Sequence, residues 1–230
     1  MVGAVILAAG RGERMGGVDK AFATVAHLPM LAHSLLAFER CRDIDAIVVV
    51  AREGLLDRVR EIAAKQGIAK FRTAVAGGAE RQASSLAGIR ALPEADIVAV
   101  HDAARPLVTD ALISKCVASA RACGSGVAAR RVRDTIREAA PSGAFRLLDR
   151  NRLWAAETPQ VFARAALLAA LESAEEAGAS LADDAAAIER AGGAITLVEW
   201  NEPNLKVTVG EDLRVADALL AAREESPRHD

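Results

Sequence analysis

The chain has 230 residues, 52% hydrophobic and 26% charged, with a formal net charge of −2. That size and balance allow one large domain with its own core and exclude a disordered or collagen-like chain. A near-neutral charge gives no footing for nucleic-acid or membrane-surface binding, and no apolar run approaches the roughly 18–20 residues of a membrane span. Cys41, Cys116 and Cys123 have no C-x-x-C spacing, which excludes a disulfide framework and argues against a cysteine-built zinc site. They read as buried packing residues. No basic stretch precedes the first apolar segment, so no secretory signal is expected and the reducing cytoplasm is the expected compartment.

In chain order, Val2–Ala8, Ala46–Ala51 and Ile97–His101 are continuous apolar strands, and Gly126–Ala129 is a shorter fourth. Between them, Met30–Arg40, Leu55–Gln66, Gln82–Ala91 and Ala111–Ala122 show helical apolar spacing. The alternation predicts βαβ units: an α/β, Rossmann-like, mostly parallel twisted sheet with helices on both faces. Ligands collect at the carboxyl ends of such strands. The rhythm breaks near residue 131. Val132–Trp154 alternates in part and has a Pro-Ser-Gly turn signal at 141–143, which predicts a protruding β-hairpin arm. A lone hairpin is marginally stable, so a second subunit is expected to cover it. Helices are predicted at Phe162–Glu176 and Asp183–Ala191, a strand pair at Ile195–Trp200 and Leu205–Val209, and a last helix at Glu211–Arg223. The charged segment 224–230 is expected to fray, with no sign of a following domain. The economical organisation is one domain over 1–230, with 132–154 as a dimerisation arm.

Five groups of residues stand out. Leu7 to Gly16 (LAAGRGERMG) places Gly10, Gly12 and Gly16 after a buried strand, where backbone N–H groups can approach phosphate oxygens. Arg14 and Lys20 add two cations. The spacing is neither the dinucleotide fingerprint nor the P-loop, and a plain turn with solvated cations is the alternative. Lys20 is one of only five lysines, against 24 arginines. Gly77–Ser85 (GGAERQASS) sets paired glycines before a helix. Its backbone can read a flat base edge and Ser84 can hydrogen-bond, or the segment is a capped helix start. Val100–Pro106 (VHDAARP) ends a strand in His101 and Asp102. An acid there suits a ribose hydroxyl, a metal or a substrate hydroxyl, or equally a turn or cap. His101 reads as a satisfied structural histidine, and Arg105 as one half of a surface ion pair.

The fourth group flanks the arm: Arg133–Ile136 (RDTI), Asp149–Trp154 and Glu157–Gln160 (ETPQ). Arg150 and Thr158 lie close in sequence and can share one anion, against the plainer reading of a solvated, arginine-rich hairpin. In Asn204–Thr208 (NLKVT), Lys206 shares one face of an alternating strand with Asn204 and Thr208. An inward lysine needs an anion; an edge lysine that blunts aggregation is the alternative. Ala182–Asp184 reads better as a helix N-cap than as a metal site, and Trp154 and Trp200 as core or interface. No Ser-His-Asp or Cys-His grouping is visible. A phosphate loop with Arg14, Lys20 and Lys206, joined by a divalent metal, suits in-line attack at phosphorus.

AAGRGERM with Lys20 resembles the signature loop of nucleotidyltransferases that activate sugars and polyols. Together with GGAERQASS, HDAARP, RDTI, ETPQVF and NLKVT, in that order and over nearly the whole chain, it resembles the 2-C-methyl-D-erythritol 4-phosphate cytidylyltransferase family. The resemblance implies transfer of the cytidylyl group of CTP to 2-C-methyl-D-erythritol 4-phosphate with release of pyrophosphate, on the non-mevalonate route to isoprenoids. It implies Mg²⁺ carried mainly on the CTP phosphates, and a homodimer joined through the arm. By position it implies that Arg14 and Lys20 stabilise the transition state at the α-phosphate, and that Ala8, Ala9, Gly10 and Gly12 wrap the phosphates. Gly78, Ala79 and Ser84 would read cytosine, and Asp102 and Ala103 would meet ribose and polyol. Arg150 and Lys206 would position the substrate phosphate, Thr158 would contact the polyol phosphate, and Thr135 and Arg105 would serve the neighbouring subunit's site.

Three positions depart from the family's pattern. Asp19 stands where Pro is usual, and is expected to lower triphosphate affinity or to contact Mg²⁺. The loop from Met15 to Lys20 is short, and its GGVDK run reads like the molybdopterin guanylyltransferases. Ala182 replaces a common hydroxyl residue. Competing readings are a cytidylyltransferase for another polyol phosphate such as ribitol 5-phosphate, a guanylyltransferase, in which HDAARP, ETPQ and NLKVT have no place, and a non-catalytic sugar-nucleotide-binding subunit, which would be expected to lose Lys20 or Arg14.

Overall fold

Apolar runs rich in β-branched residues make the central strands, because such side chains suit a pleated surface buried on both faces. The computed structural model describes residues 1–10, 19–141 and 143–225, with side chains to residue 223. First come β1 (Val2–Leu7), a small ribbon of β2 (Thr24–Val25) and β3 (Leu28–Pro29), α1 (Met30–Arg40), β4 (Ala46–Ala51) and α2 (Leu56–Lys65). Then follow β5 (Phe71–Ala76), α3 (Arg81–Arg90), β6 (Ile97–Asp102), α4 (Asp110–Cys123) and β7 (Ser125–Arg131). A hairpin of β8 (Arg137–Ala139) and β9 (Phe145–Leu147) precedes β10 (Trp154–Ala163), α5 (Arg164–Glu176), α6 (Asp184–Arg190), β11 (Leu197–Glu199) and α7 (Gly210–Glu225).

Among the described residues, seven strands form one sheet in the order β11-β7-β10-β6-β1-β4-β5. The β6-β1-β4-β5 half is parallel, with Val5 opposite both Val48 and Val100. β10 runs antiparallel to β6 and β7, and β11 lies parallel to β7. This is the mostly parallel α/β sheet that the alternation predicts. Strand periodicity sorts the core into two faces. Ile6, Ile47 and Val49 pack with Leu35, Phe38, Val59 and Leu112 of α1, α2 and α4. Val5, Val48 and Val100 pack with Leu86, Ile89, Leu167 and Leu171 of α3 and α5. A third cluster seats Ala216 and Leu220 of α7 against Val25, Met30, Leu107 and Val207. Arg223 adds donors to the carbonyls of Leu107, at 2.7 Å, and Pro203, at 3.0 Å, so α7 braces the segment before it.

One strand was not expected from sequence, and several expectations need correction. Phe71–Ala76 is an edge strand that shows no apolar run, because only Ala74 is fully buried in it. The helix expected from Phe162 begins at Arg164, and Trp154–Ala163 is instead a central strand. Glu157, Thr158 and Gln160 are buried within it, so its pattern is not apolar. The register with β7 shifts between Ala156 and Gln160, around Pro159, which has no N–H for a ladder. Leu205–Val209 is not a strand: Val207 N donates to the Ala104 carbonyl at 2.8 Å, and Asp212 takes the Thr208 and Val209 amides, in place of a ladder. Cys41 and Cys116 are buried, but Cys123 is exposed where α4 ends.

The arm is present as the β8–β9 hairpin, turned by Gly143 in the left-handed region at φ 81°. Its Phe145 and Leu147 are 68% and 60% exposed, which leaves two large apolar side chains open to solvent. Among the described residues no helix is long and apolar enough to cross a membrane.

β7 passes α4 so closely that a Cβ on Gly126 would stand 2.1 Å from the Cys116 carbonyl oxygen. That oxygen belongs to helix backbone and cannot swing away. Gly126→Ala is therefore expected to destabilise the fold by about 3 kcal/mol, the upper end of overpacking costs. The loss would be read as a lower denaturant midpoint at an unchanged m-value.

Candidate active site

A cavity of about 790 Å³ opens at the carboxyl ends of β1, β4, β5 and β6, the place where open α/β sheets bind ligands. Strand pairing continues past the strand ends and fixes the turns that line it. Ala8 N donates to the Val50 carbonyl at 2.7 Å, Gly77 N to Ala51 at 2.9 Å and Ala103 N to Leu7 at 3.0 Å. A Cβ on Gly78 would stand 2.4 Å from the Cβ of Ala83, so the turn enters α3 only with glycine there. Ser84 is buried in the first turns of α3, and its hydroxyl donates to the Glu80 carbonyl at 3.2 Å.

Charge in the cavity centres on Asp102, the last residue of β6. Arg81 Nε lies 3.2 Å from its Oδ1 and Lys206 Nζ 2.7 Å from its Oδ2. Burial opposes ionisation of Asp102, but Arg81 and Lys206 outweigh it and hold the carboxyl well below the usual range. Arg81 opens α3 and also donates from Nη1 to Asp184 Oδ2 at 2.7 Å. Asp184 is wholly buried in the first turn of α6, which Asp183 caps by accepting from Ala186 N. Burial pushes Asp184 upward, and Arg81 reverses only part of that. Lys20, in the short 3-10 turn Lys20–Phe22, donates to the Thr208 carbonyl at 2.7 Å.

A buried polar network backs this face. Asp102 N donates to Thr158 Oγ1 at 3.1 Å, so the single hydroxyl proton of Thr158 faces His101 Nδ1 at 3.0 Å. That leaves His101 Nε2–H to donate to the Arg105 carbonyl at 3.3 Å. Burial pushes the imidazole down to about 3 despite the pull of Asp102, so the ring is neutral at pH 7. Glu157 accepts from Asn204 Nδ2 at 2.9 Å and pairs with Arg130 at 3.1 Å and Arg105 at 3.8 Å.

The expected site residues fall into four places. Ala8, Ala9, Gly10, Lys20, Gly78, Ala79, Ser84, Asp102, Ala103 and Lys206 line the one cavity. Arg105 and Thr158 belong to the buried network; Arg105 donates to the Asn204 carbonyl at 2.8 Å. Thr135 and Arg150 line a separate cavity of about 480 Å³ beside the hairpin, where Arg150 donates to the Arg133 carbonyl at 3.1 Å. Gly12 and Arg14 lie outside the described residues. Arg81 and Arg52 also line the main cavity and were not singled out from sequence. The available signal for Arg81 was its place at a helix start shortly after the paired glycines, past Ala79 and Glu80. Among the described residues no three His, Cys, Asp or Glu side chains gather to hold a metal. The carboxylates lining the cavity are Glu53, Glu80 and Asp102.

The family model for 2-C-methyl-D-erythritol 4-phosphate cytidylyltransferase matches residues 2–222. A relative of that name from Shouchella clausii is 39% identical over 222 residues, covering 96% of this chain and 97% of its own. The crystal structure of a 4-diphosphocytidyl-2C-methyl-D-erythritol synthase from Anaerococcus prevotii superposes with a TM-score of 0.87 at 25% identity, covering 96% of each chain. That of a 2-C-methyl-D-erythritol 4-phosphate cytidylyltransferase from Thermus thermophilus gives 0.78 at 29% identity, covering 96% of this chain and 100% of its own.

The neutral His101 makes a pH prediction. The unfolded chain protonates this histidine below about pH 6.5, whereas the folded chain resists until about 3. Between those values the unfolded state binds more protons, so stability falls as pH falls. His101→Gln, which keeps a donor and an acceptor, is expected to flatten the dependence of unfolding free energy on pH across that window.

Proposed function

The chain belongs to the 2-C-methyl-D-erythritol 4-phosphate cytidylyltransferase family, and from that premise we propose that it transfers the cytidylyl group of CTP to 2-C-methyl-D-erythritol 4-phosphate, on the non-mevalonate route to isoprenoids. The observation that carries this reading is the single cavity in which Lys20, Lys206, Asp102 and the Gly77–Ala79 turn meet at four strand ends. A phosphate oxygen of the polyol attacks the α-phosphorus of CTP, a new P–O bond forms, and the bond to the β-phosphate breaks to release pyrophosphate. A phosphate monoester is already largely ionised at pH 7, so the attack needs placement more than a general base. Charge spreads over the α-phosphate oxygens as the bonds exchange, and fixed cations in a partly desolvated cavity stabilise it.

Lys20 and Arg14 are assigned to the α-phosphate. Lys206, oriented by Asp102, is assigned to the polyol phosphate together with Arg150. The turn at Gly78 and Ala79, with Ser84, is assigned to cytosine, and the end of β6 to the ribose and polyol hydroxyls. Mg²⁺ is commonly held by one or two carboxylates plus substrate phosphates. Both Asp102 oxygens already face a cation, Oδ1 Arg81 and Oδ2 Lys206, so the ion would be carried mainly on the CTP phosphates. Bound there, it would neutralise charge on the departing pyrophosphate. The arm is assigned to a homodimer, in which its exposed Phe145 and Leu147 are covered and Thr135 and Arg150 reach the partner's cavity. Three free cysteine thiols suit the reducing cytoplasm.

Pyrophosphate release with Mg²⁺, CTP and 2-C-methyl-D-erythritol 4-phosphate tests the reaction. Turnover with ribitol 5-phosphate alone would overturn the polyol assignment, and turnover with GTP alone the base assignment. Lys20→Ala and Lys206→Ala are each expected to lower kcat by about a hundredfold or more, as loss of a preorganised charge does. Arg150→Ala is expected to raise KM for the polyol phosphate more than KM for CTP. Sedimentation should give a dimer, and deletion of the arm between Asp134 and Asn151 should give monomer or aggregate; an active monomer would remove the arm from the site.

A further inference from the structure

We propose that Arg52 serves the site by neutralising Asp19, so that an acid beside Lys20 does not repel the incoming triphosphate; this rests on reading the cavity as a nucleoside triphosphate site. Asp19 immediately precedes Lys20. Its side chain is 17% exposed, so bulk water screens it poorly. Unpaired, that carboxylate would oppose a polyanion one residue away from a cation assigned to bind it. Arg52 Nη2 donates to Asp19 Oδ2 and closes an ion pair.

Arg52 is well placed for this. It is the first residue beyond β4, and its carbonyl accepts from Leu55 N at 2.9 Å, which anchors its backbone to the short turn Glu53–Leu55. Both Arg52 and Lys20 line the cavity. The pair therefore links a strand end of the cavity to the segment that carries Lys20. Glu53 follows and also lines the cavity. Arg81, a second guanidinium on the cavity, is bonded to Asp102 and Asp184. Seen from a phosphate group, a closed Asp19–Arg52 pair is a dipole, whereas either partner alone is a full charge. The Arg52 side chain is 44% exposed, and pairs of that kind add little to folding stability. Changing them alters the charge of the site more than it alters the fold.

Calorimetric titration of the protein with Mg²⁺ and CTP tests this, with KM for both substrates measured alongside. Arg52→Gln is expected to raise Kd for CTP about fivefold, Asp19→Asn to lower it about threefold, and the double variant to return it within about twofold of wild type, all converging as salt rises. Arg52→Lys, which keeps the charge, should stay close to wild type, and KM for the polyol phosphate should not follow this order. Equal weakening by Arg52→Gln and Asp19→Asn would make the pair a tether and overturn the proposal. A double variant as weak as Arg52→Gln would make Arg52 a direct phosphate ligand and overturn it too. A wild-type protein that binds no CTP would overturn the reading of the cavity, and the proposal with it; every other result bears on Arg52 alone.

Discussion

Asp102 is held ionised at the end of a buried strand by cations that reach it from two distant parts of the chain, Arg81 and Lys206. Removing one member of such a set strands a buried charge, which costs far more than the intact set contributes. Arg81 is bound in turn to the wholly buried Asp184, so the starts of α3 and α6, the end of β6 and the segment before α7 share one electrostatic frame. Lys206 is thereby placed before any ligand arrives. A lysine ammonium on a four-carbon stem is otherwise mobile, and anchoring it to Asp102 reduces the ordering that substrate binding must supply.

The polar residues of β10 back the same strand end from the next strand. Thr158 takes the Asp102 amide and directs its proton to a neutral His101, while Glu157 gathers Asn204, Arg105 and Arg130. A central strand with three buried polar side chains is costly unless each is satisfied. Here their partners are the residues that position the cavity wall. The parallel half of the sheet presents the cavity and the antiparallel half supports it from behind.

What was legible in the sequence followed from local pattern. β1, β4 and β6 are continuous apolar runs because both their faces are covered, and the turns after β1, β5 and β6 were marked by Gly10, Gly78 and Asp102. The scarcity of lysine singled out Lys20 and Lys206; the strand expected around Lys206 is absent and its side chain is exposed, yet it pairs with Asp102. The family resemblance, spread over six short motifs, is what carried those turns to a reaction. The rest depended on tertiary partners. β5 is half-exposed at an edge and shows no apolar run. β10 hides its strand character behind Glu157, Thr158 and Gln160. Arg81 looked like any other arginine, because its two acids are 21 and 103 residues away.

The placement of β10 also orders the assembly of the sheet. β6 pairs with β1 on one side and with β10 on the other. While a ribosome is making the first 150 or so residues, β6 can join β1, but its second edge has no partner. Val98, Ala99 and Val100 then lie along a bare apolar strand edge, the kind of surface that recruits other chains. In the finished sheet Trp154–Ala163 fills the gap between β6 and β7 and covers that edge.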